Sequence, residues 1–221
     1  MAYVDFLTKL HSGTKRDYVA RVVEHDKAEC SEVAIQYGKD YWDGDRQYGY
    51  GGYKYDGRQR ATAEAMAKHY GIKPGDKILD VGFGKGYLLY EFTQVVPGVE
   101  VAGIDVSQYG LENSKEEVKP FLQIGNAVSL PFEDNTFDFV VSITTLHNLY
   151  NYELRKAVQE IERVGKGSKK HIIIESYRNE REKANLLYWQ LTCRSFYTPQ
   201  EWEWFMEESG YTGDYSYIVF E

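Results

Sequence analysis

KILDVGFGKGYLL, residues 77–89, carries the strongest structural signal in this chain. Its first apolar residues, Ile78, Leu79 and Val81, fit a short buried strand of a parallel sheet. Glycines follow at alternate positions, and from Tyr87 onward the apolar spacing becomes helical. The stretch therefore predicts a strand, a glycine turn and a helix, in which the unpaired N–H groups at the helix start can face a ligand.

The spacing of the glycines separates two classes of nucleoside ligand. Gly82, Gly84 and Gly86 occupy alternate positions, whereas the dinucleotide fingerprint G-x-G-x-x-G would place its third glycine at Tyr87. An acidic residue, Asp80, stands shortly before the first glycine. DVGFGKG therefore resembles the glycine motif of the class I S-adenosylmethionine-dependent methyltransferases.

A second segment, residues 125–150, adds to this resemblance. The superfamily commonly has a G-(D/N)-A turn after its third strand, then L-P-F, then F-D-x-V on the fourth strand and an L-H ending. This chain has the same motifs in the same order: Gly125-Asn126-Ala127, Leu130-Pro131-Phe132, Phe137-Asp138-Phe139-Val140 and Leu146-His147. The resemblance covers roughly residues 58–176 and the predicted helix at 199–209.

Strand and helix patterns alternate from residue 77 to residue 176. This alternation predicts an α/β protein with a doubly wound, mostly parallel sheet and right-handed crossovers, and the resemblance implies the Rossmann-like class I methyltransferase fold. We predict two parts: residues 1–57, in which a helical region over residues 1–37 precedes a Tyr/Gly-rich loop, and residues 58–221, the S-adenosylmethionine-binding domain. Within the second part, Gly71 is expected to cap one helix, and Ser107 is expected to begin a helix that runs through Lys119. Thr198 with Glu201 is expected to form a capping box at the start of the helix at 199–209. One strand, about residues 215–220, follows the last helix. The family fold usually closes with two, so one strand is missing or another segment takes its place.

The loop at residues 37–58, hereafter the lid, has an unusual composition. It contains six tyrosines and a tryptophan among six glycines, and this glycine density argues against a regular helix. Loops of this length in compact domains are often binding loops. Phenol rings with hydroxyl tips suit a polar ligand that also has apolar faces, so we expect some of these tyrosines to face a ligand.

The resemblance also implies a set of cofactor contacts. Asp105 ends the second predicted strand, 105 − 86 = 19 positions after Gly86, where a carboxylate can accept hydrogen bonds from both ribose hydroxyls. Asn126 can read the adenine, and Arg58, with Tyr50 or Tyr53, can hold the carboxylate of the cofactor. The predicted cofactor-binding residues are Tyr53, Arg58, Asp80, Gly82, Phe83, Gly84, Gly86, Asp105, Val106, Asn126, Ala127 and Ile143.

His147 is the predicted catalytic base. It follows the fourth strand, where the methyl acceptor would approach, and an imidazole titrates near neutral pH. Asp43, Asp45 and a tyrosine of the lid are rival proton acceptors. Asp138 lies within an apolar run, which favours a structural role.

Composition limits the partners. The net charge of −8 argues against a nucleic-acid backbone or an anionic membrane as the main partner. Cys30 and Cys193 are far apart and suggest neither a disulfide nor a zinc site, and no metal is predicted. We find no signal peptide and no run near the ~20 apolar residues of a membrane span, which predicts a cytoplasmic protein. A small-molecule acceptor is the expected partner, and a homodimer stays open.

The resemblance implies methyl transfer from S-adenosyl-L-methionine, with S-adenosyl-L-homocysteine as the product. The hydroxyl-rich lid favours a small polar acceptor and O-methylation of a sugar or a natural-product intermediate. Two alternatives stay open at this point. An NAD(P)-dependent oxidoreductase would share the glycine turn and Asp105, and a non-catalytic nucleoside-binding scaffold would share the whole crevice.

Overall fold

The computed structural model describes residues 1–7 and 16–221 of the 221-residue chain. Within these residues, six strands form one sheet in the order β3-β2-β1-β4-β5-β6, and every neighbouring pair is parallel. The predicted doubly wound parallel sheet is therefore confirmed. The strands are β1 (Lys77–Val81), β2 (Glu100–Asp105), β3 (Leu122–Ile124), β4 (Phe139–Ile143), β5 (Lys170–Glu175) and β6 (Asp214–Ile218).

Helices cover both faces of this sheet. Their bounds are α1 (Ala20–Val23), α2 (Lys27–Ala34), α3 (Lys39–Asp43), α4 (Arg60–Tyr70), α5 (Tyr87–Val95), α6 (Gln108–Glu112), α7 (Asn151–Val164), α8 (Glu180–Trp189) and α9 (Pro199–Glu208). One apolar core joins α4, α5 and α8 to the sheet through residues such as Ile78, and the other joins α7 and α9 through Leu79. Successive residues of a strand point to opposite faces of the sheet, so the apolar side chains on the two faces fill two separate cores. In the described part of the chain, no helix combines the length and apolarity of a membrane span.

Local sequence signals explain where several helices begin and end. Gly71 ends α4 in the left-handed conformation (φ 61°), and Ser107 caps α6 by accepting a hydrogen bond from the Gly110 N–H. Thr198 and Glu201 form the predicted capping box of α9. The helix predicted from Ser107 to residue 119 is wrong in length, because α6 ends at Glu112 and a turn follows. Asn and Ser residues follow Glu112, and both types favour turns over helix interiors.

The far edge of the sheet is built from the N-terminal residues. Tyr3 pairs in parallel with Tyr215 of β6. The Val4 N–H donates to the Tyr215 carbonyl over 2.9 Å, and the Tyr215 N–H donates to the Ala2 carbonyl over 3.0 Å. This pairing supplies the edge segment that the sequence left unassigned. The prediction of a helical region over residues 1–37 is therefore wrong at residues 1–7 and correct at α1 and α2, while residues 8–15 lie outside the described residues.

Candidate functional site

The predicted site residues converge at the carboxyl ends of β1, β2, β3 and β4. The glycine turn follows β1, Asp105 ends β2, Asn126 follows β3 and Ile143 ends β4. Since all of these strands are parallel, their carboxyl ends meet at one edge of the sheet, where open α/β folds bind ligands. Lys85 and the lid approach this edge from above.

The glycine turn depends on the absence of side chains. Gly82 has φ 92°, and a Cβ atom there would overlap the side chain of Thr145, which follows β4. Gly84 has φ 60°, and a Cβ atom there would lie 2.9 Å from the ring of Trp42. The Phe83 side chain is buried in the same apolar core as Leu88, so only the backbone of Phe83 can contact a ligand. The turn is thus shaped for close approach of another group.

Asp80 is an acidic residue without a full set of partners. It is buried at the end of β1, and its Oδ1 atom has no hydrogen-bond partner within residues 1–7 and 16–221. Burial, with the nearby charge of Asp105, raises the pKa of Asp80 to about 8. A buried carboxyl oxygen without a donor is costly, so the position fits a ligand that brings an N–H or O–H group.

Asp105 is oriented by the backbone around it. Its Oδ2 accepts from the Gly84 N–H and its Oδ1 from the Ser107 N–H, each over 2.8 Å. An ionised carboxylate has about four lone-pair sites, so roughly two remain for the two hydroxyls of a ribose. Burial raises the pKa of Asp105, and hydrogen bonds from backbone N–H groups, among them those of Ser107 and Gly84, oppose that shift.

The residues after β2 and β3 form a more open part of the site. Asn126 is exposed, and its Oδ1 accepts from the Val128 N–H over 3.1 Å in a local turn, which leaves its amide NH₂ free to turn toward a ligand. Val106 is 51% exposed, while Ala127 is buried. An exposed apolar side chain beside an amide suits the flat face and polar edge of a purine.

The lid lies directly on the glycine turn. Trp42 is buried and donates through Nε1 to the Ser107 hydroxyl over 2.8 Å. The Lys85 ammonium group donates to both oxygens of Asp43 (2.8 and 2.7 Å) and to the Tyr53 carbonyl. Because the space where a Cβ of Gly84 would lie is closed by the Trp42 ring, the lid covers this part of the turn.

Tyr53 and Arg58 differ in how far they are committed to other contacts. The Tyr53 ring stacks on Tyr87 with 5.1 Å between ring centroids, and its hydroxyl accepts from Gln59. Arg58 is exposed and forms an ion pair with Asp56. Both residues line a cavity beside the lid, and so does Ile143, another of the predicted cofactor residues.

A cavity of about 440 Å³ lies between the lid and the carboxyl ends of β4 and β5. This volume is in the range of small-molecule sites. Lid tyrosines form one wall and the ends of β4 and β5 another, while the third consists of residues near α1 and α8. Among the residues that line it are Arg21, Arg46, Tyr50, His147, Glu175 and Trp189.

His147 and Glu175 form a buried pair at the cavity wall. The Glu175 N–H donates to His147 Nδ1 over 3.3 Å, so the proton of the neutral imidazole resides on Nε2, 3.4 Å from Glu175 Oε2. Burial lowers the pKa of His147 to about 3 and raises that of Glu175 to about 8. At neutral pH the imidazole is therefore uncharged and Glu175 is mostly protonated, and Glu175 Oε2 has no hydrogen-bond partner within the described residues. The catalytic role of His147 stays a prediction.

The rival proton acceptors differ in their surroundings. Asp43 is fully engaged by Lys85, Tyr109 and the Tyr53 N–H. Burial raises the pKa of Asp43, but the hydrogen bonds from Lys85 and Tyr109 outweigh it and hold the net pKa below the ordinary value. Asp45 is exposed in the lid. Asp138 accepts from the Lys77 N–H at the opposite edge of the sheet, which agrees with its predicted structural role.

Sequence reasoning missed three components of this site: Glu175, Lys85 and Trp42 as a contact of the glycine turn. Glu175 could have been found, because it ends a predicted buried strand at the edge where the other site residues lie. Lys85 lies within the glycine motif, but its partner Asp43 is 42 positions away and no local pattern connects them. The burial of the Lys85 side chain is likewise not visible in the sequence, because it depends on the fold.

Comparison with known proteins identifies the central part of the chain. The family described as "Methyltransferase domain" matches residues 79–173. The chain is 39% identical over 113 residues to a demethylmenaquinone methyltransferase of Symbiobacterium thermophilum, a match that covers 48% of this chain and 44% of that protein. It is 36% identical over 118 residues to the protein of the same name from Lysinibacillus sphaericus, covering 51% and 50%. The chain thus spans about half the length of the curated relatives it matches.

Solved structures resemble the fold more widely. YcgJ protein from Bacillus subtilis superposes with a TM-score of 0.56 at 23% identity, over 66% of each chain. A chain from the Haloferax volcanii complex of the Trm112 methyltransferase activator with a methyltransferase gives a TM-score of 0.56 at 20% identity, over 70% of this chain and 73% of the other. At these identities the likeness supports a shared fold.

Proposed function

Since this chain contains a class I methyltransferase domain of the S-adenosylmethionine-dependent family, we propose that it methylates a small polar acceptor held beneath the lid. The observation that carries the proposal is the convergence of the glycine turn, Asp80 and Asp105 at the carboxyl ends of neighbouring strands, with a cavity of ligand size at the end of the next strand, β4, where Ile143 lines it. The residues present also fit the cofactor. Asp80 lacks a donor, and Asp105 keeps lone pairs beyond its two backbone contacts.

Each part of the cofactor has a proposed partner. Asp105 would accept from the ribose hydroxyls, and Asn126 would read the adenine, with Val106 and Ala127 against its faces. Asp80 and the backbone of the turn, from Gly82 through Phe83 and Gly84 to Gly86, would face the amino-acid part. Tyr53, Arg58 and Ile143 would complete the wall toward the acceptor. S-adenosylmethionine supplies an activated methyl group when bound, so the protein must mainly orient the acceptor and remove its proton.

The proton would leave through the pair at the cavity wall. His147 Nε2 lies 3.4 Å from Glu175 Oε2 without forming a hydrogen bond, and the ionised form of Glu175, whose population grows as the pH approaches the Glu175 pKa of about 8, is the group that can accept a proton from an acceptor hydroxyl. His147 would then hold that carboxylate in place. If the imidazole turns over, His147 itself becomes the base, as the sequence predicts. The pH dependence of kcat in Glu175→Gln and His147→Gln distinguishes these roles. The residue that accepts the proton determines the pH at which kcat falls, so that pH should change when this residue is replaced.

The acceptor class rests on the lid and the cavity. Tyr41 and Tyr50 bring phenol rings to the cavity wall, which favours a polar ring such as a sugar or a natural-product intermediate and methylation of its hydroxyl. A second candidate comes from the relatives, whose name indicates a demethylmenaquinone acceptor. Their similarity covers about half of each protein, so we propose a quinol-type ring only as the competing acceptor.

Calorimetry and turnover test this function in two stages. We expect S-adenosylhomocysteine to bind with a micromolar Kd and NAD(P) not to bind. Release of S-adenosylhomocysteine would then be followed with hydroxylated rings, sugars and a short-chain demethylmenaquinol. Binding of NAD(P) instead would favour the oxidoreductase, and cofactor binding without turnover of any acceptor would favour the scaffold.

A further inference from the structure

Arginines gather at the end of the cavity away from the glycine turn. The guanidinium carbons of Arg21 and Arg46 lie 4.7 and 5.0 Å from the ring centroid of Trp189, the last residue of α8. That of Arg16 lies 5.4 Å from the same centroid and 5.3 Å from the ring of Phe220. We call Arg16, Arg21, Arg46 and Trp189 the arginine cluster. All four residues line the cavity.

Four other arginines of the chain form ion pairs with carboxylates, and Arg21 and Arg46 differ from these four. Arg58, Arg60, Arg163 and Arg178 each form an ion pair with Asp or Glu. Arg21 and Arg46 instead donate to backbone carbonyls, including those of Trp189, Gly49 and Tyr50. Neither forms an ion pair with a carboxylate in residues 1–7 and 16–221, and residues 8–15 contain no Asp or Glu.

Like charge therefore accumulates at one end of this cavity in an acidic protein. The chain has a net charge of −8, yet two of its guanidinium groups are close enough to affect each other. Burial, together with the charge of Arg46, lowers the pKa of Arg21 to about 10, which still leaves it charged at neutral pH. Glu175 also lines the cavity, and burial raises its pKa to about 8, which outweighs the lowering effect of the charge of Arg16, so Glu175 is mostly neutral at neutral pH. An anion would relieve this repulsion.

The position of the arginine cluster separates it from the cofactor site. Asp105 and Asn126 follow β2 and β3, whereas Glu175 ends β5 and Phe220 follows β6. Strands are about 4.8 Å apart, so the end of β6 lies roughly 14 Å from that of β1. His147, after β4, lies between the two regions. A ligand that reaches from His147 to the cluster spans two strand spacings, about 10 Å, which is the length of one substituted ring.

From this placement we propose that the methyl acceptor is an acid: a ring whose hydroxyl faces His147 and Glu175 and whose carboxylate or phosphate group binds Arg21 and Arg46. This inference rests on the proposed methyltransferase function and specifies its substrate class. The guanidinium forks would fix the far end of the ring, and the hydroxyl would then lie beside the methyl donor. The transferred methyl forms a C–O bond as the C–S bond of the sulfonium breaks, the sulfur leaves as a thioether, and the hydroxyl proton passes to the ionised form of Glu175 or to the neutral imidazole of His147.

Matched ring pairs test the proposal on the full chain saturated with S-adenosylhomocysteine. Calorimetric Kd values would be compared for 4-hydroxybenzoate against 4-hydroxybenzamide, and for phenyl phosphate against phenol. We expect at least one acid to bind ten times more tightly than its neutral counterpart, which corresponds to about 1.4 kcal/mol. The benzoate and phosphate arms show which oxyanion the site prefers. Equal binding within both pairs would overturn the proposal.

Variants identify the residues responsible. Arg21→Met and Arg46→Met should each remove most of the preference for the acid, while Arg181→Met, an exposed arginine on α8, should preserve it. Affinity for S-adenosylhomocysteine should stay within twofold in all three. If the Arg21 or Arg46 variant loses cofactor affinity instead, the cluster holds the cofactor carboxylate and the proposal is wrong. If the wild type does not bind S-adenosylhomocysteine, the methyltransferase function itself fails, which is a separate result.

Discussion

Replacing Asp105 with alanine tests the nucleoside site most directly. The Asp105 carboxylate uses two of its lone-pair sites for the N–H groups of Gly84 and Ser107, and about two remain for ribose hydroxyls. Hydrogen bonds to a charged acceptor contribute about 1.5–3 kcal/mol each, and two such bonds are not fully additive. We therefore expect a loss of about 3 kcal/mol, or roughly a 100-fold higher Kd for S-adenosylhomocysteine by calorimetry.

A matched control separates affinity from stability. Asp138→Ala also removes an acceptor of a backbone N–H, that of Lys77, and an ion pair with Lys166, but it does so at the opposite edge of the sheet. Both variants should unfold at lower temperature, because each leaves a backbone donor without its partner. Only Asp105→Ala should lose affinity. An S-adenosylhomocysteine Kd within twofold of wild type in Asp105→Ala would refute the assignment of this carboxylate to the ribose.

Three further predictions concern stability, the turn and the lid. Glu175 and Asp80 have folded-state pKa values of about 8, above their unfolded values, so the folded chain holds more protons and the free energy of unfolding should fall as pH rises from about 4.5 to 8. Urea titrations should show a shallower fall in Glu175→Gln and an unchanged one in the exposed Glu207→Gln. Gly82→Ala should lower the free energy of unfolding by about 3 kcal/mol or more, because φ is positive at Gly82 and the Thr145 side chain occupies the space that a Cβ would need. Gly167→Ala, with φ 55° and open space around the Cβ position, should lower it by only about 1–2 kcal/mol. Similar losses in the two variants would contradict the crowding argument. Lys85→Met breaks a largely buried ion pair, so it should lower the free energy of unfolding by about 2–3 kcal/mol and speed proteolysis within the lid. Lys119→Met removes only a surface ion pair with Glu116 and should change the free energy of unfolding by less than about 0.5 kcal/mol. Unchanged cleavage in Lys85→Met would show that the lid is held by other contacts.

The parts of the fold that the sequence predicted correctly are those with local signals. The glycine turn, the capping box at Thr198 and the left-handed Gly71 each depend on residues within a few positions. The parallel sheet followed from alternation of strand and helix patterns. The far edge of the sheet could not be predicted, because Tyr3 and Tyr215, which pair there, are 212 positions apart in the sequence. Neither segment alone has a pattern that shows which strand it pairs with.

The site shows the same division between local and distant information. The placement of Asp105 and Asn126 was predictable, because the carboxyl ends of parallel strands converge at one side of a sheet; their roles in binding the cofactor stay predictions. The environment of His147 was not, since its pKa depends on burial and its tautomer on the backbone N–H of Glu175, 28 positions away. The arginine cluster was also beyond the sequence, because it combines residues from α1, the lid and α8 on one indole ring.

Residues 2–4 bind along β6 and so shield the last open row of amides and carbonyls on that side. A shortened clone that starts after Asp5 would present this row to other molecules, and unprotected strand rims of this kind recruit one another into aggregates. An affinity tag fused before Met1 would lie next to this edge of the sheet and would weaken the pairing of Tyr3 with Tyr215. A tag at the opposite terminus is therefore the safer choice for crystallisation and for the binding measurements.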